Sequence, residues 1–173
     1  RAEAVVIQGN TILAVADQET VLAYQDEAAR MIDLQGRTLM PGFVDAHSHM
    51  LASYENHGGS IQAVQDQVLA QGITTLADMG GDSGQVLTTL RQMEAEGSLR
   101  MRVSMYLNRI TNCGEDTGEW YLDYAQSLDP AALVQVPGVK IFTDGGSCNV
   151  PAMSVAYPGG GMGDLYFTQQ ELN

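Results

Sequence analysis

Two histidines stand two residues apart in Met40-Pro41-Gly42-Phe43-Val44-Asp45-Ala46-His47-Ser48-His49, at the end of an apolar, strand-like run. In a β-strand residues i and i+2 share a face, so His47 and His49 are expected to present their imidazoles together. Two neutral imidazoles on one face supply half of a zinc site. Asp45 has the same parity, and is either an acid that orients one imidazole from behind or a residue fixing the strand's first turn. His57, in the polar stretch Tyr54-Glu55-Asn56-His57-Gly58, reads as an exposed loop residue or a contact at the mouth of a site.

A second chemistry-bearing run is Val136-Pro137-Gly138-Val139-Lys140-Ile141-Phe142-Thr143-Asp144-Gly145-Gly146. Pro137-Gly138 reads as a turn, and Val139 and Ile141 alternate with Lys140. If the two aliphatic residues pack against helices, the lysine points to the opposite side. An ammonium in such a place must be paired, neutralised or chemically changed. The spacing leaves two outcomes: an ion pair with Asp144 or Asp78, or reaction with carbon dioxide to a carbamate able to bridge two metal ions. Residues 145–164 then form a long glycine-rich loop, a candidate substrate-facing flap. Its glycines fit neither G-x-G-x-x-G nor a P-loop, so phosphate binding has no motif behind it.

The elements that must hold these residues are legible from periodicity. Residues 3–40 read as short strands, Ala4–Ile7, Thr11–Val15 and Met31–Leu34, bounded by Gly and Asn, and suggest a small sheet. From Phe43 strand and helix alternate, with strands starting near Phe43, Ile73, Met101 and Val139, at intervals of roughly 30 residues or more, one βα unit each. The first helix is expected after a Ser60 cap, burying Ile61, Val64, Val68 and Leu69 and ending at Gly72. The second is expected after Asp82 and Ser83, burying Val86, Leu87, Leu90 and Met93 and ending at Gly97. A third is expected to use Trp120, Tyr121, Tyr124 and Leu128, followed by a helix start at Asp129-Pro130. Thr168-Gln169-Gln170-Glu171 is a capping box with almost no chain after it, which points to truncation.

The 173 residues hold 45% hydrophobic content and carry a net charge of -13 with eight Lys and Arg. That balance suits a globular domain and excludes a phosphate-binding surface, so no nucleic-acid partner is expected. No apolar run is long enough for a membrane span, so no membrane partner is expected either. Cys113 and Cys148 match neither a disulfide framework nor a C-x-x-C site and read as ordinary thiols, Cys148 as a buried or loop thiol, which favours a reducing, cytoplasmic setting. The chain begins at Arg1 within a strand-like pattern, so its N-terminus is open.

The run Gly36–His49 resembles the opening of the barrel in the metal-dependent amidohydrolase superfamily. Gly138-Val139-Lys140-Ile141-Phe142-Thr143-Asp144-Gly145 and Gly163-Asp164-Leu165-Tyr166-Phe167-Thr168 are similar to its family 3 branch, which includes N-substituted formamide deformylase-like enzymes. The resemblance implies an α/β fold in which residues 41–173 form the first half of a distorted (β/α)8 TIM barrel, about four βα units, preceded by a partial β-sandwich over 1–40. A whole barrel needs about 250 residues. It further implies hydrolysis of non-peptide C–N bonds of a small amide-type substrate by one or two divalent metal ions, zinc first. His47 and His49 would be ligands, and Lys140 the fourth-strand lysine, carboxylated where two ions are bound. The family's two further histidines, from strands five and six, and its acid/base aspartate, from strand eight, lie outside this chain, so the chain alone leaves most of a catalytic set unbuilt. A dihydroorotase- or hydantoinase-like cyclic amidase shares the same pattern. The competing class is a non-catalytic half barrel that binds a ligand or forms a homo-oligomer through its open sheet.

Overall fold

The computed structural model describes residues 2–24, 26, 30–81 and 84–173. They fall into two compact units, residues 1–40 and 41–173. In the first, β1 (Ala4–Gln8) and β2 (Thr11–Ala16) form an antiparallel hairpin. Gly9 opens its loop with φ of +57°, a conformation that costs glycine little. A short helix the periodicity does not reveal, α1 (Gln18–Leu22), follows Asp17, whose Oδ1 accepts the Thr20 N–H at 2.8 Å. Met31–Leu34 forms no strand, so among the described residues this unit shows a hairpin and one helix and not the expected third strand.

The second unit is a four-stranded sheet of β3 (Phe43–Ser48), β4 (Ile73–Gly81), β5 (Arg102–Asn108) and β6 (Val134–Lys140). The strands lie in that order and every pair is parallel. α2 (Ile61–Ala70) links β3 to β4, and α3 (Gly84–Ala95) links β4 to β5. Ser60 Oγ accepts the Ala63 N–H at 3.1 Å, and Gly72 and Gly97 take positive φ where the helices end. The expected Asp82 and Ser83 cap lies outside the described residues. Ile61, Val64 and Val68 of α2 and Val86, Leu87 and Leu90 of α3 join Leu76, Val103, Met105, Leu107, Val134 and Val136 of the sheet in one apolar cluster. Gln65, fully buried, ties α2 to the turn before β5: its side chain donates to Ser98 O at 3.2 Å and accepts from Arg100 N at 2.5 Å.

Past β5 the sequence expectation fails. Trp120–Asp123 is one turn of 3-10 helix, and Asp129 Oδ1 accepts the Ala131 N–H in a side-chain turn, so neither expected helix forms. Trp120, Tyr121 and Tyr124 pack on the core all the same. The aromatic spacing recorded burial, which a compact turn achieves as well as a helix. At Thr168 the capping-box bonds are made, Thr168 N to Glu171 Oε2 at 2.8 Å and Glu171 N to Thr168 Oγ1 at 3.3 Å, around a turn.

β6 begins at Val134, five residues ahead of expectation, because Pro137-Gly138 lies inside the strand and not before it. Against β5, Ser104 pairs with Gln135 but Tyr106 pairs with Gly138, so β6 carries one extra residue between them. Proline offers no ladder N–H, which suits it to such a bulge. The extra residue reverses the alternation. Val134 and Val136 face the helix-packed core, yet Val139 pairs with Leu107 and Lys140 with Asn108. Without the bulge Lys140 would share the core side with Val134. Val139 and Ile141 are exposed, which corrects their expected packing against helices.

The cysteines are the clearest correction. Cys113 and Cys148 form a disulfide, with Cα atoms 5.1 Å apart, and no described cysteine is a free thiol. Both follow the C-terminal ends of neighbouring parallel strands, so the topology brings them together across 35 residues of sequence. The glycine-rich segment folds on itself, with Met153 N donating to Met162 O at 2.8 Å and Gly145 N to Asp164 O at 3.0 Å. No helix among the described residues is long and apolar enough to cross a membrane.

Candidate metal centre

Because all four strands run the same way, their C-terminal ends lie at one end of the sheet. That end carries His49 just past β3, Asp78 to Gly81 of β4, Asn108 of β5 and Lys140 of β6. His47 and His49 are both exposed, with ring centroids 5.3 Å apart in an edge-to-face arrangement. Two imidazoles on a tetrahedral ion, with metal–nitrogen distances of about 2.0–2.1 Å, have ring centroids roughly 5 Å apart. The observed centroid separation is close to that distance. Among the described residues no group of three or more His, Cys, Asp and Glu is gathered at one point, so the remaining ligands of a closed site are not supplied by those residue types here.

Asp45 does not back either ring: its Oδ1 accepts the backbone N–H of His47 at 3.1 Å. The β3–β4 register slips between Asp45 and Ser48, which breaks the simple alternation on which a shared face rested. His57 is half-buried at the end of the 3-10 turn Tyr54–His57.

Lys140 makes no ion pair among the described residues, and its Nζ sits 4.8 Å from the centroid of the Phe142 ring. Both proposed acid partners are engaged elsewhere. Asp144 accepts the N–H of Gly146 at 3.1 Å and of Ala152 at 3.0 Å, shaping the loop after β6. Asn108, beside Lys140 in the register, is buried, and its Oδ1 has no hydrogen-bond partner among the described residues. β3 and β6 are the two edges of the sheet, three strand spacings or about 14 Å apart along it, so the histidines and Lys140 approach one another only through curvature of the sheet.

Sequence reasoning assigned Asp78 the wrong partner. It is fully buried at the end of β4 and accepts three backbone N–H groups: Leu51 at 2.8 Å and Ala52 at 3.4 Å on Oδ2, and Gly80 at 3.1 Å on Oδ1. Burial pushes its carboxyl above the usual range, while these N–H groups and the nearby His49 pull it back. The donors belong to a loop, whose path no periodicity reveals. Gly80 leaves room for this packing, since a Cβ there would overlap Ala52 Cβ and lie 3.3 Å from His49 Nδ1. Gly80→Ala is therefore expected to cost about 1–3 kcal/mol and to shift the His49 ring resonances, read by urea unfolding and NMR.

A hollow of about 310 Å³ between α2 and α3, lined by Tyr54, Ile61, Val86 and Met93 among others, contains none of these residues.

Residues 30–60, which include both histidines, match the amidohydrolase family. An imidazolonepropionase from Fusobacterium nucleatum subsp. nucleatum is 29% identical over 139 residues, covering 79% of this chain and 32% of the relative. The imidazolonepropionase of Bdellovibrio bacteriovorus is 29% identical over 129 residues, 72% of this chain and 29% of its own length. An N-substituted formamide deformylase from Arthrobacter pascens is 37% identical over 49 residues, 28% of this chain and 9% of the relative. The chain thus spans about a third of the length of the imidazolonepropionases it matches. No solved structure matches it. The matched segment is centred on the strand that carries His47, and the chain is similar to imidazolonepropionases along most of its own length.

Proposed function

We propose that this chain is the metal-binding N-terminal part of a hydrolase that cleaves non-peptide C–N bonds. The observation that carries the reading is the pair His47 and His49, with ring centroids at 5.3 Å on the strand end inside the matched segment. In this reading the four parallel strands are the first half of a (β/α)8 barrel, and their shared C-terminal end is the mouth where such barrels hold their chemistry.

His47 and His49 hold a divalent ion, zinc first, and Lys140, which the bulge in β6 turns to the side of Asn108, faces the same cavity as an amine or as its carbamate. A bound ion supplies Lewis acidity and a water acidified for attack on an amide-type carbon. The chain's own residues fix positions: the turn after β3 aims the imidazoles, and the disulfide and the loop after β6 wall one side of the mouth. The relatives' names point to imidazolonepropionate and N-substituted formamides as the substrate class, each a small molecule with a non-peptide C–N bond. Exposed Phe43, Val44 and Val139 on the edge strands support association through the open sheet, with further barrel strands or with a second copy. The disulfide favours an oxidising compartment over the cytoplasm.

The test is titration of the metal-free chain with zinc by calorimetry and with cobalt(II) by visible absorption. One ion per chain is expected, and His47→Ala or His49→Ala is expected to weaken binding at least ~10-fold. A wild-type chain that binds neither ion overturns the metal reading.

A further inference from the structure

We propose that Asp78 is the positioning residue of the candidate metal centre, holding the turn that delivers His49 beside His47. The inference rests on the reading of the two histidines as ligands and assigns a role to a residue of a different strand.

The geometry is specific. β3 ends at Ser48, so His49 has left the ladder and nothing in the sheet's own hydrogen bonding fixes its direction. The chain turns at once. Ser53 N and Ser53 Oγ both donate to His49 O, at 3.0 and 2.6 Å, closing the turn from its far side. Inside that turn the Leu51 and Ala52 N–H groups both donate to one carboxylate oxygen of Asp78. The other oxygen takes the Gly80 N–H, which locks the carboxylate to its own strand. Ser48 pairs directly with Asp78 across the β3–β4 ladder, so the clamp begins one residue before His49 and ends three residues after it.

The surroundings show that this is more than a satisfied core acid. Leu51 is fully buried and belongs to the apolar cluster, so the turn is anchored from below while its N–H groups are held from the side. Gly80 lets the clamp and the histidine approach: the position a Cβ would occupy lies 3.3 Å from His49 Nδ1 and 3.4 Å from Asp78 Oδ1. The carboxylate and the imidazole thus border one small space that a side chain at position 80 would fill. A buried carboxylate without such donors would be costly, and a core leucine in its place would leave the Leu51 N–H unpaired. The arrangement makes sense as a device for direction: a rigid strand reaching across to fix the neighbour's exit. Groups that orient metal ligands in this way, without touching the ion, commonly govern affinity by 10- to 100-fold.

The experiment uses the whole 173-residue chain. Wild type, Asp78→Asn, Asp78→Glu and Ser60→Ala are compared, the last a control for general loss of stability through the α2 cap. Three readouts are taken: zinc affinity by calorimetry, the ring resonances of His47 and His49 in the metal-free chain, and amide exchange of Leu51 and Ala52. Asp78→Asn is expected to weaken zinc binding 10- to 100-fold, to move the His49 resonances and to speed Leu51 and Ala52 exchange, while Ser60→Ala changes none of them. Asp78→Glu, one methylene longer, is expected to show the same displacement and serves if the asparagine variant does not fold. Fast Leu51 exchange in the wild type, or Asp78 variants indistinguishable from Ser60→Ala, overturns the proposal. If the wild type binds no zinc while Asp78→Asn still moves the His49 rings and frees the two amides, the metal reading fails and the positioning role stands.

Discussion

Reduction of the Cys113–Cys148 bridge is expected to lower stability by roughly 3–4 kcal/mol, the chain-entropy value for closing a loop of this size. The two cysteines are 35 residues apart and close a loop that contains the last strand of the sheet, so cutting the bond releases much freedom in the unfolded chain. The native state loses order locally as well. Loop 109–118 after β5 is otherwise held by the Arg109–Asp116 ion pair, by Thr117 Oγ1 donating to the carbonyls of Asn108 and Arg109, and by Tyr166 Oη donating to Asn112 O at 3.4 Å. These bonds are exposed or partly so, and exposed polar contacts contribute little each. Urea unfolding with and without reductant reads the loss, and Cys113→Ser is expected to match the reduced chain. Faster amide exchange is expected in 109–118 and 145–153 before it appears in β4. Free thiols in the unreduced protein would contradict the bridge.

The second large effect is expected at the centre of the sheet. Leu76→Ala removes a fully buried side chain from an inner strand and is expected to cost about 2–5 kcal/mol, the range for leaving a cavity in a packed core. That is a sizeable share of the 5–15 kcal/mol that holds a typical domain folded. Val44→Ala, at a side chain 64% exposed, is expected to stay within about 0.5 kcal/mol. The contrast in urea midpoints tests whether the helix-packed face alone supplies stability. Equal losses at the two positions would show that the open face is covered in solution.

The helices α2 and α3 were legible because their apolar stripes, the Ser60 cap and the closing glycines all agree, and a local pattern suffices to specify each. The nearness of the two histidines was legible locally, but His49 lies past the end of β3 and the register slips before it, so their directions were not. What the sequence concealed depends on adjacency between strands. The disulfide needs β5 and β6 to be neighbours, the Asp78 clamp needs the turn after β3 to cross β4, and the exact start of β6 needs the bulge. Pro137-Gly138 is chemically a turn signal, and only pairing with Ser104 and Tyr106 shows it absorbed within a strand. The run at 120–128 misled in the opposite direction: Trp120, Tyr121 and Tyr124 pack on the core from a single 3-10 turn, while Leu128, expected to join them, is exposed.

The extra residue in β6 makes the side on which Lys140 emerges a matter of counting. A single-residue deletion between Gln135 and Gly138 would exchange the places of Val139 and Lys140, turning the ammonium to the side of Leu107 and the isopropyl group to the side of Asn108, while leaving composition and charge almost unaltered. Chains of this kind can thus lose their amine through a length change as surely as through its replacement, and comparison of strand lengths upstream of the lysine, more than inspection of the lysine itself, is the way to recognise those that have.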